Sequence, residues 1–128
     1  MIYGIGTDLV EIDRIAKMIT RHGQRFLDRV YTKDEQAAAQ ERGDQSRYYA
    51  MRFAAKEAAW KALSPGRDQG IGWQDLEILS RDDGQPILNL KGKAADYFAQ
   101  ETNNQGICHL SLSDDGGMAL AFVVLSAP

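Results

Sequence analysis

Apolar and polar positions alternate weakly along residues 2–10, which predicts a β-strand at the start of the chain. Successive side chains of a strand point to opposite faces. One face is therefore expected to carry Ile2, Gly4, Gly6, Asp8 and Val10. Because glycine has no side chain, a ligand or a second stretch of backbone can approach closely beside the carboxylate on this face.

Helical spacing begins after this strand. From Ile12 to Ile19 the apolar residues lie three or four positions apart, which predicts a helix, and Gly23 is a typical residue for its end. Residues 32–35 read Thr-Lys-Asp-Glu, a capping-box pattern in which the two outer side chains bond each other's backbone amides. This pattern predicts a second helix that extends to about residue 42.

An alanine-rich stretch over residues 47–63 predicts a long helix, which ends before Pro65 because proline cannot continue it. The rest of the chain is typical of paired strands around one short helix. The predicted elements are strands over 73–79 and 87–90, a helix over 91–100, and strands over 107–113 and 118–125. An order of strand, helices and then strands predicts an α+β fold rather than alternating βαβ units.

Composition excludes several classes of protein. With 128 residues, of which 44% are hydrophobic, the chain is expected to form a single domain over 1–128. Its net charge of −3 argues against broad nucleic-acid binding. Cys108 is the only cysteine, so no intrachain disulfide can form. The sequence has no signal-peptide pattern and no long apolar run, so we expect a cytoplasmic protein without a membrane partner.

Three residues that are distant in sequence suggest the chemistry. Asp8 and Glu57 are carboxylates that can share Mg²⁺, an ion that keeps several waters and takes further ligands from phosphates. Lys61 follows Glu57 by one helical turn and would meet those phosphates, which predicts phosphoryl-group transfer. Two structural alternatives stay open: Asp8 as a helix cap, and Glu57 with Lys61 as a surface ion pair contributing roughly 0.3 to 0.5 kcal/mol.

Longer motifs carry a family resemblance. Residues 4–15 read G-I-G-T-D-L-V-E-I-D-R-I, and residues 52–62 read R-F-A-A-K-E-A-A-W-K-A. Together they closely resemble the two signature motifs of the bacterial holo-acyl-carrier-protein synthases, which are small, stand-alone 4′-phosphopantetheinyl transferases. The turn at 84–86 is similar to the family's G-K-P turn, and residues 108–113 are similar to its C-terminal H-V-S motif. The resemblance spans the whole chain.

The resemblance implies transfer of the 4′-phosphopantetheine arm of coenzyme A to a serine of apo acyl carrier protein, in fatty acid biosynthesis, with release of 3′,5′-ADP. It also implies Mg²⁺ as cofactor and a homotrimer whose active sites lie at subunit interfaces. Asp8 and Glu57 would hold the metal and act in catalysis with Lys61, and Glu57 is the preferred base for the serine proton. The implied coenzyme A contacts are Arg52, Lys61, Ser64 and His109.

One loop departs from the family pattern. After Lys61 the family usually continues A-F-G-T-G, whereas residues 62–66 of this chain read A-L-S-P-G. Pro65 has no amide hydrogen to offer a phosphate. A contact from this loop would therefore have to come from elsewhere, and the hydroxyl of Ser64 is the candidate.

The adjacent Cys108 and His109 invite comparison with a nucleophile and its base. Neighbours in a strand point to opposite faces, so they are not expected to form a catalytic dyad. Cys108 is expected to be an inert thiol that faces the core. His109 is expected to face outward, where the resemblance favours a place near coenzyme A and a structural hydrogen bond is the alternative.

Basic residues cluster between positions 14 and 29. Arg14, Lys17, Arg21 and Arg25 advance by three or four positions, so they form one stripe if the helix extends that far. Within the family, the stripe resembles a docking surface for the acidic carrier, and a solvated helix face is the alternative. The expected docking residues are Arg14, Met18, Arg21, Arg25 and Phe26.

Two other functions stay open at the level of sequence. A protein that binds coenzyme A or the carrier without transferring anything would agree with the altered loop at 62–66. A Mg²⁺-dependent nucleotide hydrolase would need a motif that positions an attacking water, and no such motif is visible.

Overall fold

The computed structural model describes residues 1–65 and 69–128 of the chain. The helices are α1 (Ile12–His22), α2 (Gln24–Val30), α3 (Lys33–Gln40), α4 (Gln45–Leu63) and α5 (Gly92–Thr102). The strands are β1 (Ile2–Glu11), β2 (Leu76–Ser80), β3 (Pro86–Leu90), β4 (Ile107–Asp115) and β5 (Met118–Ser126). The predicted α+β class is confirmed. Of the helices described, none is both long and apolar enough to cross a membrane.

The larger sheet is antiparallel and has the strand order β1, β5, β4, whereas β2 and β3 form a separate hairpin. Helix α4 covers the inner face of this sheet and packs against β1 and β5. The contact surface of α4 is rich in small side chains, and its fully buried alanines are Ala50, Ala54, Ala55, Ala58 and Ala59. Because these side chains are small, the helix can lie close to the sheet.

Helix α4 lies directly on the two glycines of β1. A methyl group added at Gly6 would collide with the carbonyl oxygen of Ala58, and one added at Gly4 would collide with that of Ala62. The second backbone for which these glycines leave room is therefore that of α4. Asp8 follows on the same face and is half-buried.

A buried ion pair connects α3, α4 and the start of β2. The Lys56 ammonium is fully buried and donates to Glu35 Oε1 at 2.8 Å, to Trp73 O at 3.1 Å and to Leu76 O at 2.8 Å. The other carboxylate oxygen of Glu35 accepts from Ile78 N at 2.8 Å. Each N–H group of the ammonium thus has an acceptor, which is the condition under which a charge is tolerated in a core.

The predicted capping box belongs to the same network. Glu35 N donates to Thr32 Oγ1 at 3.1 Å, and Thr32 N donates to Glu35 Oε1 at 2.8 Å, so the prediction is confirmed. Helix α3, which the box begins, ends at Gln40 rather than near residue 42. The carboxylate of Glu35 therefore serves both as a helix cap and as the partner of Lys56.

Two predicted strand positions are wrong. Residues 73–75 form a 3₁₀ turn, Trp73–Asp75, so β2 begins only at Leu76. Gly72 N donates to Asp75 Oδ2 at 2.9 Å, and this hydrogen bond closes the turn. Ile2 is 59% exposed instead of sharing the glycine face, because the pairing of β1 with β5 shifts register between Ile2 and Gly4.

Replacing Gly6 by alanine is expected to push α4 away from β1, because the atom that the new methyl meets is a backbone oxygen, which cannot rotate aside. We expect the free energy of unfolding to fall by about 1–3 kcal/mol, the usual cost of overpacking, measured by urea denaturation. The matched control is Gly72→Ala, since a methyl there meets no atom within 4 Å. Native-like stability of Gly6→Ala would contradict the close contact.

Candidate active site

Strand β1 and helix α4 bring Asp8 and Lys61 together. Lys61 Nζ donates to Thr7 O at 2.9 Å and to Asp8 Oδ1 at 3.2 Å. The Asp8 side chain is 19% exposed and that of Lys61 is 52% exposed, so the pair lies at the protein surface. Lys61 thus makes its ion pair across two elements rather than with Glu57 within α4. The helix-cap alternative for Asp8 is wrong, because the cap position of α1 is Glu11, which makes no side-chain cap bond.

Glu57 lies half-buried on α4, one turn before Lys61. Burial raises the pKa of its carboxyl above the ordinary value, and the negative charge of Asp8 raises it further. The positive charges of Lys61 and Arg14 act in the opposite direction and lower this pKa. Asp8, Lys61 and Arg14 therefore lie close enough to Glu57 to act on its charge, and the two carboxylates repel each other.

This arrangement fits a divalent cation that takes few ligands from the protein. Among residues 1–65 and 69–128, no group of three or more His, Cys, Asp or Glu side chains could enclose a metal ion. Mg²⁺ is usually held by one or two carboxylates, with waters and substrate phosphates as its other ligands. Asp8 and Glu57 fit that pattern, and a shared cation would relieve their repulsion.

Arg52 lies in a separate cavity of about 510 Å³, nearer the start of α4. Its guanidinium stacks 3.8 Å from the centre of the Tyr48 ring, and Nη2 donates to Ser80 Oγ at 3.0 Å. In the described part of the chain, Arg52 Nε and the Tyr48 hydroxyl are buried without a hydrogen-bond partner. Arg42 and Arg47 also line the cavity. Unpaired buried donors beside arginines are features of an anion-binding site.

Cys108 and His109 lie on opposite faces of strand β4, as the sequence predicts. Cys108 is half-buried, and burial raises the pKa of its thiol to about 11, so little reactive thiolate exists at neutral pH. His109 is exposed on the outer face of the sheet, where its Nε2 lies 2.9 Å from Ser126 Oγ. Asp8 faces inward, and β5 lies between β1 and β4. Within one chain, His109 and Asp8 are therefore on opposite faces of the sheet.

Ser64 ends α4 in the left-handed conformation, with a φ of 48°. Its hydroxyl donates to Lys61 O at 2.7 Å and so satisfies a carbonyl at the end of the helix. Gly66, the glycine of the altered loop, lies outside the described residues. A coenzyme A contact through Ser64 stays a prediction.

The basic stripe is not continuous. Gly23 ends α1 with a φ of 57°, and a second helix, α2, begins at the next residue. Arg14 and Arg21 belong to α1, whereas Arg25 belongs to α2. The helix therefore does not extend to Arg25, which was the condition for a single stripe, because a glycine with positive φ breaks the helical spacing.

The two helices instead form a groove of about 310 Å³. It is lined by Met18, His22, Arg25, Phe26 and Arg29. Phe26 is only 8% exposed and packs edge-to-face against Tyr31, with ring centres 6.0 Å apart, so it belongs mainly to the core. Lys17 pairs with Asp13 at 3.0 Å, which offsets its charge on this surface.

The sequence pattern missed two parts of this region. Tyr48 precedes Arg52 by one helical turn, so their shared helix face was a usable signal. The other part is an apolar cavity of about 320 Å³ beside Glu57, lined by Trp60 of α4 and by Ile71, Gly72, Trp73 and Leu76. No local pattern signals this cavity, because its walls come from segments that meet only in the fold.

Known proteins share this architecture. A family profile described as the 4′-phosphopantetheinyl transferase superfamily matches residues 4–122. A holo-[acyl-carrier-protein] synthase of Cereibacter sphaeroides is 47% identical over an alignment of 129 positions, which covers 99% of this chain and 94% of that protein.

Solved structures agree with these matches. The holo-[acyl-carrier-protein] synthase of Neisseria meningitidis superposes with a TM-score of 0.85 at 36% identity, over 98% of this chain and 99% of that one. The Helicobacter pylori synthase, solved in complex with coenzyme A, gives a TM-score of 0.81 at 34% identity, over 95% and 99% of the two chains. With fold and sequence similar over nearly its full length, the chain belongs to the 4′-phosphopantetheinyl transferase superfamily.

Proposed function

We propose that this protein transfers the 4′-phosphopantetheine arm of coenzyme A to a serine hydroxyl of apo acyl carrier protein. The main observation is that Asp8, Glu57 and Lys61 lie together where β1 packs against α4. Carboxylates of this kind bind a divalent cation, and a lysine can bind phosphates. The similar proteins named holo-[acyl-carrier-protein] synthase, and the coenzyme A complex of the Helicobacter pylori protein, support it.

Asp8 and Glu57 are the proposed ligands of Mg²⁺, which is the proposed cofactor. When bound, the ion would supply positive charge to the phosphate that is transferred. Lys61 contacts Asp8 at 3.2 Å and is 52% exposed, so its flexible side chain can turn from Asp8 toward a phosphate. The three side chains would then surround the reacting phosphate with two ligands for the ion and one ammonium.

The reaction forms one bond and breaks one. The serine oxygen attacks the β-phosphorus of coenzyme A, and a new P–O bond joins the carrier to the arm. The bond from this phosphorus to the oxygen bridging the two phosphates breaks, and its electron pair leaves with 3′,5′-ADP. Glu57, directly or through a water, is the proposed acceptor of the serine proton. Lys61 neutralises charge on the phosphate oxygens.

The proposed coenzyme A contacts are Arg52, Lys61, Ser64 and His109. The unpaired Nε of Arg52, beside the unpaired hydroxyl of Tyr48, supports a phosphate contact in the arginine-lined cavity. His109 cannot reach the Asp8 site of its own chain, because the two residues are on opposite faces of the sheet. We therefore propose that a neighbouring chain supplies His109.

A homotrimer with active sites between subunits is the proposed assembly. The outer face of the larger sheet exposes Ile5, Leu9, Leu120 and Phe122, with exposed fractions of 53%, 59%, 41% and 45%. A contiguous apolar patch of this kind is typical of a protein–protein interface. His109 lies on the same face, so an interface formed there would carry His109 toward a neighbouring subunit.

The acidic carrier is proposed to dock on α1 and α2, through Arg14, Met18, Arg21, Arg25 and the part of Phe26 that lines the groove. Arg14 lies near enough to Glu57 to lower its pKa, so the basic surface extends to the reaction site. Arg25 and Met18 line the groove between the helices. Positive charge here would steer the carrier's serine toward Glu57, which mainly raises association rate and specificity.

We further propose that this reaction serves fatty acid biosynthesis in the cytoplasm, with no nucleic-acid or membrane partner. A net charge of −3 supports the first exclusion, since nucleic acids bind to positive surfaces. The composition, with a single cysteine, agrees with a reducing compartment.

Incubation of the protein with coenzyme A, Mg²⁺ and an apo carrier is expected to add one phosphopantetheine arm to the carrier, measured by mass spectrometry. Asp8→Asn, Glu57→Gln and Lys61→Met are each expected to lower kcat by about 100-fold or more, because they remove ligand, base or phosphate charge. Lys93→Met is the matched control, since Lys93 is an exposed lysine of α5. If the protein binds coenzyme A but the mass of the carrier does not change, the result would favour a binding protein. If 3′,5′-ADP is released while the mass of the carrier does not change, the result would favour a hydrolase.

Phe122→Glu is expected to convert the trimer to monomers and to abolish turnover, because it places a charge in the centre of the apolar face. Size-exclusion chromatography with light scattering measures the first effect. Gln105→Glu, in the exposed loop before β4, adds the same charge away from the face and should leave the trimer intact.

Mixing the inactive Glu57→Gln and His109→Ala proteins under subunit exchange is expected to restore partial activity. No recovery despite proven exchange would mean that each site is built within one chain.

Arg21→Glu and Arg25→Glu are each expected to raise the KM for carrier by roughly tenfold. A change of this size corresponds to the loss of about two exposed ion pairs. The KM for coenzyme A should stay unchanged. Added salt should weaken carrier use by the native protein more than by the variants, because the field is screened over about 8 Å at physiological ionic strength. Lys93→Glu changes the net charge equally on α5 and is the control. Equal KM values for carrier in all variants would favour a solvated helix face.

A further inference from the structure

Helix α2, which carries part of the proposed docking surface, is too short to fix its own position. It has seven residues, and an isolated helix of fewer than about 12 residues is marginal in water. At its start it joins α1 through Gly23, which has a φ of 57° and provides no side-chain cap bond. The position of α2 must therefore come from contacts with other parts of the fold.

Two glutamine side chains hold the end of α2. Gln36 Nε2 and Gln74 Nε2 each donate to Tyr31 O at 3.2 Å, and Tyr31 is the residue that ends the helix. Gln36 also donates to Leu27 O at 3.3 Å. Gln74 also donates to Asp28 O. The last carbonyls of a helix have no partner within it, and one carbonyl oxygen can accept two hydrogen bonds. Gln36 and Gln74 thus form a glutamine clamp on α2.

Both sides of the glutamine clamp are attached to the buried ammonium of Lys56. Gln36 follows Glu35 on α3, and the carboxylate of Glu35 accepts from Lys56 Nζ at 2.8 Å. Gln74 follows Trp73 in the 3₁₀ turn, and the carbonyl of Trp73 accepts from the same ammonium at 3.1 Å. One side chain of α4 therefore fixes both segments from which the clamp extends.

We propose that Gln36 and Gln74 are positioning residues for the transfer, because they hold α2 where a docked carrier presents its serine to Glu57. Lys56 directly precedes Glu57 on α4, so a continuous set of hydrogen bonds connects the docking helix with the reaction site. The inference rests on the proposed function, since it takes α2 as a docking helix and Glu57 as part of the site. The glutamines act through the helix and do not contact a substrate.

Loss of the glutamine clamp would affect the transfer step more than the binding of the carrier. The charge of Arg25 remains on α2 when the clamp is removed, and its field extends over about 8 Å at physiological ionic strength, so a small shift of the helix preserves the attraction. Alignment of the serine oxygen with the phosphorus is far more sensitive, because a displacement of about 1 Å can slow a reaction by about 100-fold.

Gln36→Met and Gln74→Met test the clamp, because methionine has nearly the length of glutamine but no hydrogen-bond donor. Transfer in a single turnover, with saturating carrier and coenzyme A, is followed by mass spectrometry of the carrier. Each variant is expected to lower this rate by about tenfold, and to change the KM for carrier and the Kd for coenzyme A little. Gln40→Met, at an exposed glutamine of α3, is the matched control and should keep the native rate.

Two further substitutions at Gln74 separate the donor from the size of the side chain. Gln74→Lys keeps a donor that can reach the carbonyls at the end of α2, so we expect it to retain most of the native single-turnover rate. Gln74→Glu keeps the length without the donor and places negative charge at the helix end, so it should be at least as slow as Gln74→Met. Circular dichroism would show that each variant is folded at the assay temperature. Gln36→Met, on the other side of the clamp, is the second variant if Gln74→Met does not fold.

A native single-turnover rate in both folded methionine variants would overturn the proposal and leave the glutamines as helix caps. A raised KM for carrier with an unchanged single-turnover rate would overturn it as well, because the clamp would then serve affinity rather than alignment. So would a Gln74→Lys protein as slow as Gln74→Met. Failure of the proposed function is a separate outcome, since it appears in the native protein as a carrier whose mass does not change.

Discussion

The contact of the β1 glycines with the backbone of α4 is the constraint on which the site depends. Gly6 meets Ala58 and Gly4 meets Ala62, so two residues of strand span four residues of helix. Those distances match, at about 6.6 Å along a strand and about 6.0 Å along a helix, and both contacts can therefore form at once. Glu57 and Lys61 each precede a contact alanine by one position, so this close packing holds them against the strand that carries the aspartate.

The larger sheet divides its two faces between different tasks. The inner face carries Asp8 and the covering helix, whereas the outer face carries His109 among exposed apolar side chains such as Leu9 and Phe122. No rearrangement within one chain brings these faces together, because the alternation of side chains along a strand is fixed. A site that uses both faces must therefore be completed by a second chain, and the apolar outer face provides a reason for chains to associate.

Local signals predicted much of this fold, and they failed where distant segments decide the outcome. The capping box at Thr32 and the end of α1 at Gly23 follow from neighbouring residues, so both were predictable. Gly23 also shows why the basic residues do not form a single stripe, because spacing alone does not reveal that a new helix starts after it. The i, i+4 pattern of Glu57 and Lys61 was equally ambiguous, since the partner that Lys61 contacts is 53 residues away. The family resemblance supplied what spacing could not.

Lys56 and Glu57 show how adjacent residues of one helix serve structure and chemistry separately. Lys56 is fully buried with Glu35, and a buried ion pair adds little stability because its desolvation cost offsets its attraction. The pair instead fixes geometry, because an ammonium with three fixed acceptors holds Trp73 and Leu76 in one place relative to α4. An apolar contact could stabilise the same segment but would allow it to slide. The wall beside Glu57 is thus specified by hydrogen bonds, and this explains why a charge is kept in the core one residue away from the proposed base.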